Sequence, residues 1–106
     1  MLNVDKSFEG QIIEILLGDT LELRLPENPV TGFRWHLQTG GDPVLALVGD
    51  SFEPGDATPG QGGIHWWRFQ VVQTGAAVLE LSYRRKWEHT RMPAQTFKLQ
   101  MHAMKE

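Results

Sequence analysis

Along most of this chain apolar and polar residues alternate one by one, and clusters of glycine, proline and aspartate interrupt the alternation at intervals. From Thr20 to Leu25, Leu21, Leu23 and Leu25 fall on one face and Glu22 and Arg24 on the other; Phe33, Trp35 and Leu37 then alternate with Arg34, His36 and Gln38. Between Ile64 and Gln73 the inward set is Trp67, Phe69 and Val71, against Ile64, Trp66, Arg68 and Gln70. Ala77, Leu79, Leu81 and Tyr83 continue the pattern, and Phe97, Leu99, Met101 and Ala103 close it. A period of two with β-branched and aromatic residues predicts strands that bury one face. The run Phe8 to Leu17 fits either period, but it is short, rich in isoleucine and stopped by Gly18-Asp19, so it reads as a strand entering a tight turn. Val44 to Phe52 reads as a further strand with a bulge at Gly49, and residues 1–7 as a loose terminal arm. No segment of helical length shows helical period.

Seven such strands predict an all-β fold: an immunoglobulin-like antiparallel β-sandwich of about seven to eight strands, with a small barrel as the alternative. If every connection reverses the chain, odd and even connections gather at opposite poles. The odd ones are short, about two, five and three residues, and the even ones run to about seven, eleven and ten. Three long connections, holding Asn28 to Gly32, Gly60 to Gly63 and Arg85 to Trp87, should therefore share one pole, and loops grouped on a rigid scaffold are how binding faces are built. In the first of them Pro29 fixes its own φ and Gly32 permits one that other residues resist, so this loop should hold a defined shape.

The 106 residues suit one domain, 1–106, and a hydrophobic fraction of 41% with 22% charged residues suits a chain that folds alone. A net charge of -3 provides no basic field for nucleic acid, and Arg84-Arg85-Lys86 reads as a solvated loop end. There is no cysteine, hence no thiol nucleophile, disulfide framework or Cys-based zinc site. No apolar run is long enough for a membrane span, and Met1 to Glu9 lacks the apolar stretch of a signal peptide, so the reading is a soluble protein with no membrane partner, cytoplasmic or the mature form of an exported one. The four histidines are the candidate ligands or bases. His36 and His102 fall on the polar phase of their strands, His65 sits near a loop edge, His89 lies in the last long connection, and none pairs at metal spacing. Gly60-Gln61-Gly62-Gly63 lacks the following helix and lysine of a phosphate cradle, and Ser7, Ser51 and Ser82 have no base beside them. No metal, no cofactor and no enzymatic activity are expected.

Asn28-Pro29-Val30-Thr31-Gly32-Phe33, Gly60-Gln61-Gly62-Gly63 and Arg85-Lys86-Trp87 together resemble, in order and spacing, the three signature loops of the chagasin family of cysteine-peptidase inhibitors. The resemblance covers nearly the whole chain. Two positions depart from the family pattern: Val30 stands where a threonine is usual, and Lys86 replaces the proline of the third motif. The resemblance implies reversible, tight, competitive blocking of papain-like cysteine peptidases by a wedge of three loops, from a chain that is a monomer when free. Thr31 and Gly32 would lie over the catalytic cysteine. Gly60, Gly62 and Gly63, with Gln61 between them, would let main chain approach the cleft; Trp87 would anchor on the far side beside Arg85. Phe33 is assigned to the core, and Trp87 could instead pack on its own domain. Valine at position 62 is expected to weaken binding with little change in thermal stability. The alternative from another class is a non-inhibitory immunoglobulin-like adhesion or carbohydrate-binding module, for which loop tryptophans are also typical.

Overall fold

The computed structural model describes residues 1–55, 62–85 and 92–106, which form eight strands. These are β1 (Leu2–Val4), β2 (Ile12–Leu16), β3 (Thr20–Glu27), β4 (Phe33–Gly40), β5 (Leu45–Pro54), β6 (Gly63–Val71), β7 (Gly75–Arg85) and β8 (Gln95–Met104). They make two four-stranded sheets, ordered β1-β3-β6-β5 and β2-β8-β7-β4, whose inner faces meet as a sandwich. The alternating residues supply the interface. Leu21, Leu23, Leu25, Trp67, Phe69 and Val71 are buried from one sheet, and Ala77, Leu79, Leu81, Phe97, Leu99, Met101 and Ala103 from the other. Each large apolar side chain so covered contributes ~1.5–3 kcal/mol relative to exposure, which is why a strict period of two suffices to specify these faces.

Three expectations need correction. The arm at residues 1–7 is not loose: Leu2, Asn3 and Val4 pair with Leu21, Glu22 and Leu23, and Val4 is buried. Three residues are too few for periodicity to be read, and it is pairing with β3 that orders them. The sandwich is also not wholly antiparallel, because β1 runs parallel to β3 and β2 parallel to β8. The chain crosses between sheets through a 3-10 turn at Lys6–Phe8 and Gly10 at φ 79°, so the N-terminal segment edges both sheets in turn. Finally, Glu22 lies on the outer face as its phase requires but is buried there, held by Arg24 at 2.7 Å and Arg68 at 2.7 Å. Those hydrogen bonds, Arg68 first and Arg24 second, hold its carboxyl below the ordinary carboxylate range.

From β2 to β8 each connection reverses the chain, so the sorting of loops by pole holds. At one pole the backbone N–H of Gly18 donates to the Val71 carbonyl and that of Val72 to the Val44 carbonyl, both at 2.9 Å, which gathers the short connections. The register shift between Leu47 and Gly49 in β5 is the bulge expected near Gly49. Among the described residues no helix is long and apolar enough to cross a membrane, and no group of three or more His, Cys, Asp or Glu could hold a metal ion.

Candidate functional site

At the opposite pole the register brings the ends of the three long connections together: Glu27 and Pro54 both oppose Gly63, Phe33 opposes Arg85, and Tyr83 opposes Gln95. Of the residues singled out from the sequence, Asn28, Pro29, Val30, Thr31, Gly32, Gly62, Gly63 and Arg85 are all found at this pole. Gly60, Gln61, Lys86 and Trp87 lie outside the described residues.

The first loop is shaped by its own chemistry. Pro29–Thr31 forms one 3-10 turn, with proline at the position where a missing N–H costs nothing, and Gly32 ends it at φ 84° in the left-handed region. The Asn28 carbonyl accepts from the Thr31 backbone N–H at 3.2 Å and from the Thr31 hydroxyl at 2.7 Å, and Gly32 N–H donates to the Pro29 carbonyl at 3.0 Å. Val30, where the family pattern has threonine, is 75% exposed at the tip. Its missing hydroxyl therefore leaves no buried group unpaired.

Neighbouring connections brace this loop. Arg85 donates from Nε to the Thr31 carbonyl at 3.4 Å, and its guanidinium lies 4.6 Å from the centre of the Phe33 ring. Phe33 is half-buried and stacked on Tyr83 at 5.5 Å, so it is a support at the rim and not a core residue. The Tyr83 hydroxyl in turn accepts from Asn28 N–H at 3.1 Å. Gly62 passes so close to the base of the loop that a Cβ there would stand 2.5 Å from the Glu27 carbonyl oxygen and 3.1 Å from Asn28 Cβ. At Gly63 a Cβ would clash with the Glu53 carbonyl. These two glycines are thus required by packing within the protein, and the expectation that a valine at 62 leaves stability alone is overturned. Between the loops lies a concavity of about 500 Å³ whose walls include Pro26, Asn28, Gly55, Ile64 and Tyr83.

Beneath the loop sits a polar cluster that sequence reasoning missed. Glu27 is buried; its Oε2 accepts from Trp35 backbone N–H at 2.7 Å, and its Oε1 lies 3.0 Å from His65 Nδ1. The other ring nitrogen of His65 is 2.7 Å from Asp50 Oδ2, and the ring stacks flat on Trp67 at 3.9 Å. Burial pulls the His65 pKa down, but hydrogen bonding and charge from Glu27 and Asp50 outweigh it and leave it above the ordinary value of 6.5. Burial likewise pushes Glu27 up, and the bonds from His65 and Trp35 bring it below 4.5. The signal was available in the phase: Glu27 continues the inward series Leu21, Leu23, Leu25, and His65 begins the inward series Trp67, Phe69, Val71. Two ionisable residues on inward phase at the same end of adjacent strands predict a buried pair.

A rigid two-sheet sandwich that offers braced loops from both sheets at one pole defines an immunoglobulin-like recognition domain. Comparison with known proteins gives it a family. Residues 14–101 match the model of the chagasin family of peptidase inhibitors, I42. The chain is 28% identical to chagasin of Trypanosoma cruzi over 89 residues, covering 79% of this chain and 81% of that one. It is 34% identical to amoebiasin-1 of Entamoeba histolytica over 77 residues, covering 71% and 74%. Its fold superposes on the crystal structure of the cysteine protease inhibitor EhICP2 from Entamoeba histolytica with a TM-score of 0.84, at 19% identity, over 97% of this chain and 94% of that one. The chain belongs to the chagasin family; it is an inhibitor of cysteine peptidases and not an enzyme.

Proposed function

We propose that this inhibitor works as a soluble protein, by lodging the loop pole in the active-site cleft of papain-like cysteine peptidases, reversibly and in competition with substrate. The observation that carries this reading is the convergence of the described parts of all three motif loops, with Arg85 tied to Thr31 and Gly62 packed on Glu27 and Asn28. The first loop lies over the catalytic cysteine, where Val30 and Thr31 at its exposed tip make first contact. The Gly60–Gly63 segment flanks the cleft on one side and Lys86 and Trp87 on the other. An interface of ~800 Å² per partner is expected. The first loop is closed by its own hydrogen bonds, so it presents no mobile strand for cleavage.

Titration against papain, with trypsin and pepsin as controls, tests the reading. Stoichiometric, substrate-competitive loss of papain activity with an intact inhibitor band supports it. Rapid cutting within residues 28–33 followed by recovery of papain activity would make the protein a substrate.

A further inference from the structure

A histidine with a carboxylate at each ring nitrogen can satisfy both only by donating from both, that is, as the imidazolium. His65 is so placed, between Glu27 of β3 and Asp50 of β5, with Trp67 of its own strand stacked on its ring. Once the proton is lost, one ring nitrogen presents a lone pair to a carboxylate, and a hydrogen bond becomes a repulsion.

The position of Glu27 gives that change its consequence. Glu27 is the residue before Asn28, and its carboxylate reaches across the loop to the backbone N–H of Trp35, on the far side of the turn. The indole Nε1 of Trp35 donates back to the Pro26 carbonyl at 2.8 Å. The two ends of the 28–34 segment are therefore cinched by one buried side chain, and the second oxygen of that side chain depends on His65. Among the described residues the remaining charged group acting on Glu27 is Arg34 of β4, which is exposed and favours the carboxylate.

We propose that Glu27, His65 and Asp50 form a proton-gated clamp that sets the conformation of the 28–33 loop, so that this inhibitor holds its papain-like target most tightly at mildly acidic pH and releases it as the pH rises above neutral. The proposal rests on the inhibitory reading above for its target, but the clamp itself belongs to the free protein. Glu27 and His65 are positioning residues: neither needs to touch the peptidase. The direction follows from the two groups. A raised histidine pKa contributes stability that is complete below about 6.5 and lost as pH rises through the folded value, whereas a lowered glutamate pKa contributes stability above about 4.5 that is lost as pH falls through its folded value. Both contributions are complete together only between about pH 4.5 and 6.5.

Two measurements test it. In the free, isotopically labelled protein, the His65 imidazole and the backbone amides of Trp35, Asn28 and Gly32 are followed by NMR from pH 5 to 9, and they should move with one common midpoint. In Asp50→Asn, whose altered side chain is half-exposed on an edge strand, that midpoint should fall for ring and amides together. Separately, inhibition constants for papain are measured across the same range for the wild type and for His65→Gln, so that the ionisations of papain itself cancel in the ratio. The wild type should gain about five- to tenfold over the variant on going from pH 8.5 to 5.5, the low end of ordinary coupling between two sites. Loop amides that ignore the titration of His65, or a ratio independent of pH, overturn the clamp. If the amides follow His65 but neither protein inhibits papain at any pH, the proton-gated loop stands and the reading of its target falls.

Discussion

Replacing Gly62 by alanine adds one methyl group at the place where the second loop meets the base of the first. That carbon would stand 2.5 Å from the Glu27 carbonyl oxygen, 3.1 Å from Asn28 Cβ and 3.2 Å from Asn28 Cα. Two of the three atoms it meets belong to the main chain and cannot rotate away, so the strand pair β3–β6 or the loop itself must shift. Gly62 also supplies the carbonyl that accepts from Gly55 N–H at 3.0 Å, and any displacement strains that bond as well. Overpacking of this kind costs ~1–3 kcal/mol, a substantial part of the ~5–15 kcal/mol that holds a domain folded. For a domain of this size, that is a fall in Tm of roughly 4 °C or more per kcal/mol. Gly49→Ala is the matched control: it has nothing within 4 Å of the added carbon and no positive φ, so it should melt within a degree or two of the wild type. The assay is a pair of calorimetric melts, each followed by the inhibition constant for papain. A Gly62→Ala protein that melts with the wild type and inhibits as strongly would show that the two loops do not touch as described, and the packing reason for this glycine would be withdrawn.

Thr31→Val keeps the shape of the side chain but removes the hydroxyl that bonds to the Asn28 carbonyl within the free protein; the loss of ~0.5–1.5 kcal/mol should lower Tm by a few degrees, at roughly 4 °C per kcal/mol, and a melt that coincides with the wild type's would show that this bond does not hold the loop. Trp87→Ala should cost ~2 kcal/mol or more of binding with the fold intact, whereas a core tryptophan would cost ~3–5 kcal/mol of stability, so a collapsed Tm with undiminished inhibition by the folded fraction would remove this residue from the interface. Glu22→Gln tests the outer-face cluster: its lowered pKa means that Glu22 contributes above about pH 4.5 and ceases to as pH falls through the folded value. The gap in Tm between wild type and variant should therefore narrow in acid, and a gap constant from pH 7 to 3 would contradict the assignment.

The strands with clean alternation were legible because a period of two leaves one choice of buried face, and a slip of one residue would bury Glu80 and Lys98 in place of Leu79 and Leu99. The loop pole was legible for the same reason, since counting reversals needs only the strands. What escaped has a common cause. Val4 is ordered by a neighbour nineteen residues away, and Glu22 is buried by arginines from its own strand and from β6, so neither is encoded in local period. Glu27 and His65 escaped for a different reason: a polar side chain beside a loop suggests an exposed edge, as at His65, although the phase of both residues is inward. Phase was the better guide here, because each of the two offsets part of the cost of burying the other.

The brace between loops bears on how tightly such a domain can bind. Ordering a rotamer-rich side chain on association costs ~0.5–1.5 kcal/mol, and ordering a backbone residue costs ~1–2 kcal/mol, so a six-residue loop that stayed free until contact would forfeit several kcal/mol of its interaction energy. In this chain much of that ordering is complete before any partner arrives. Gly32 closes the turn, Thr31 holds its own base, Tyr83 fixes the Asn28 N–H, Arg85 spans from the third connection to the first, and Glu27 ties Trp35 to the strand before the loop. Each of these contacts is internal, so none competes with a partner for the exposed tip at Val30. Variation at the tip should then alter which peptidases are held, whereas variation at Glu27, Tyr83 or Arg85 should weaken the hold on all of them by a similar factor.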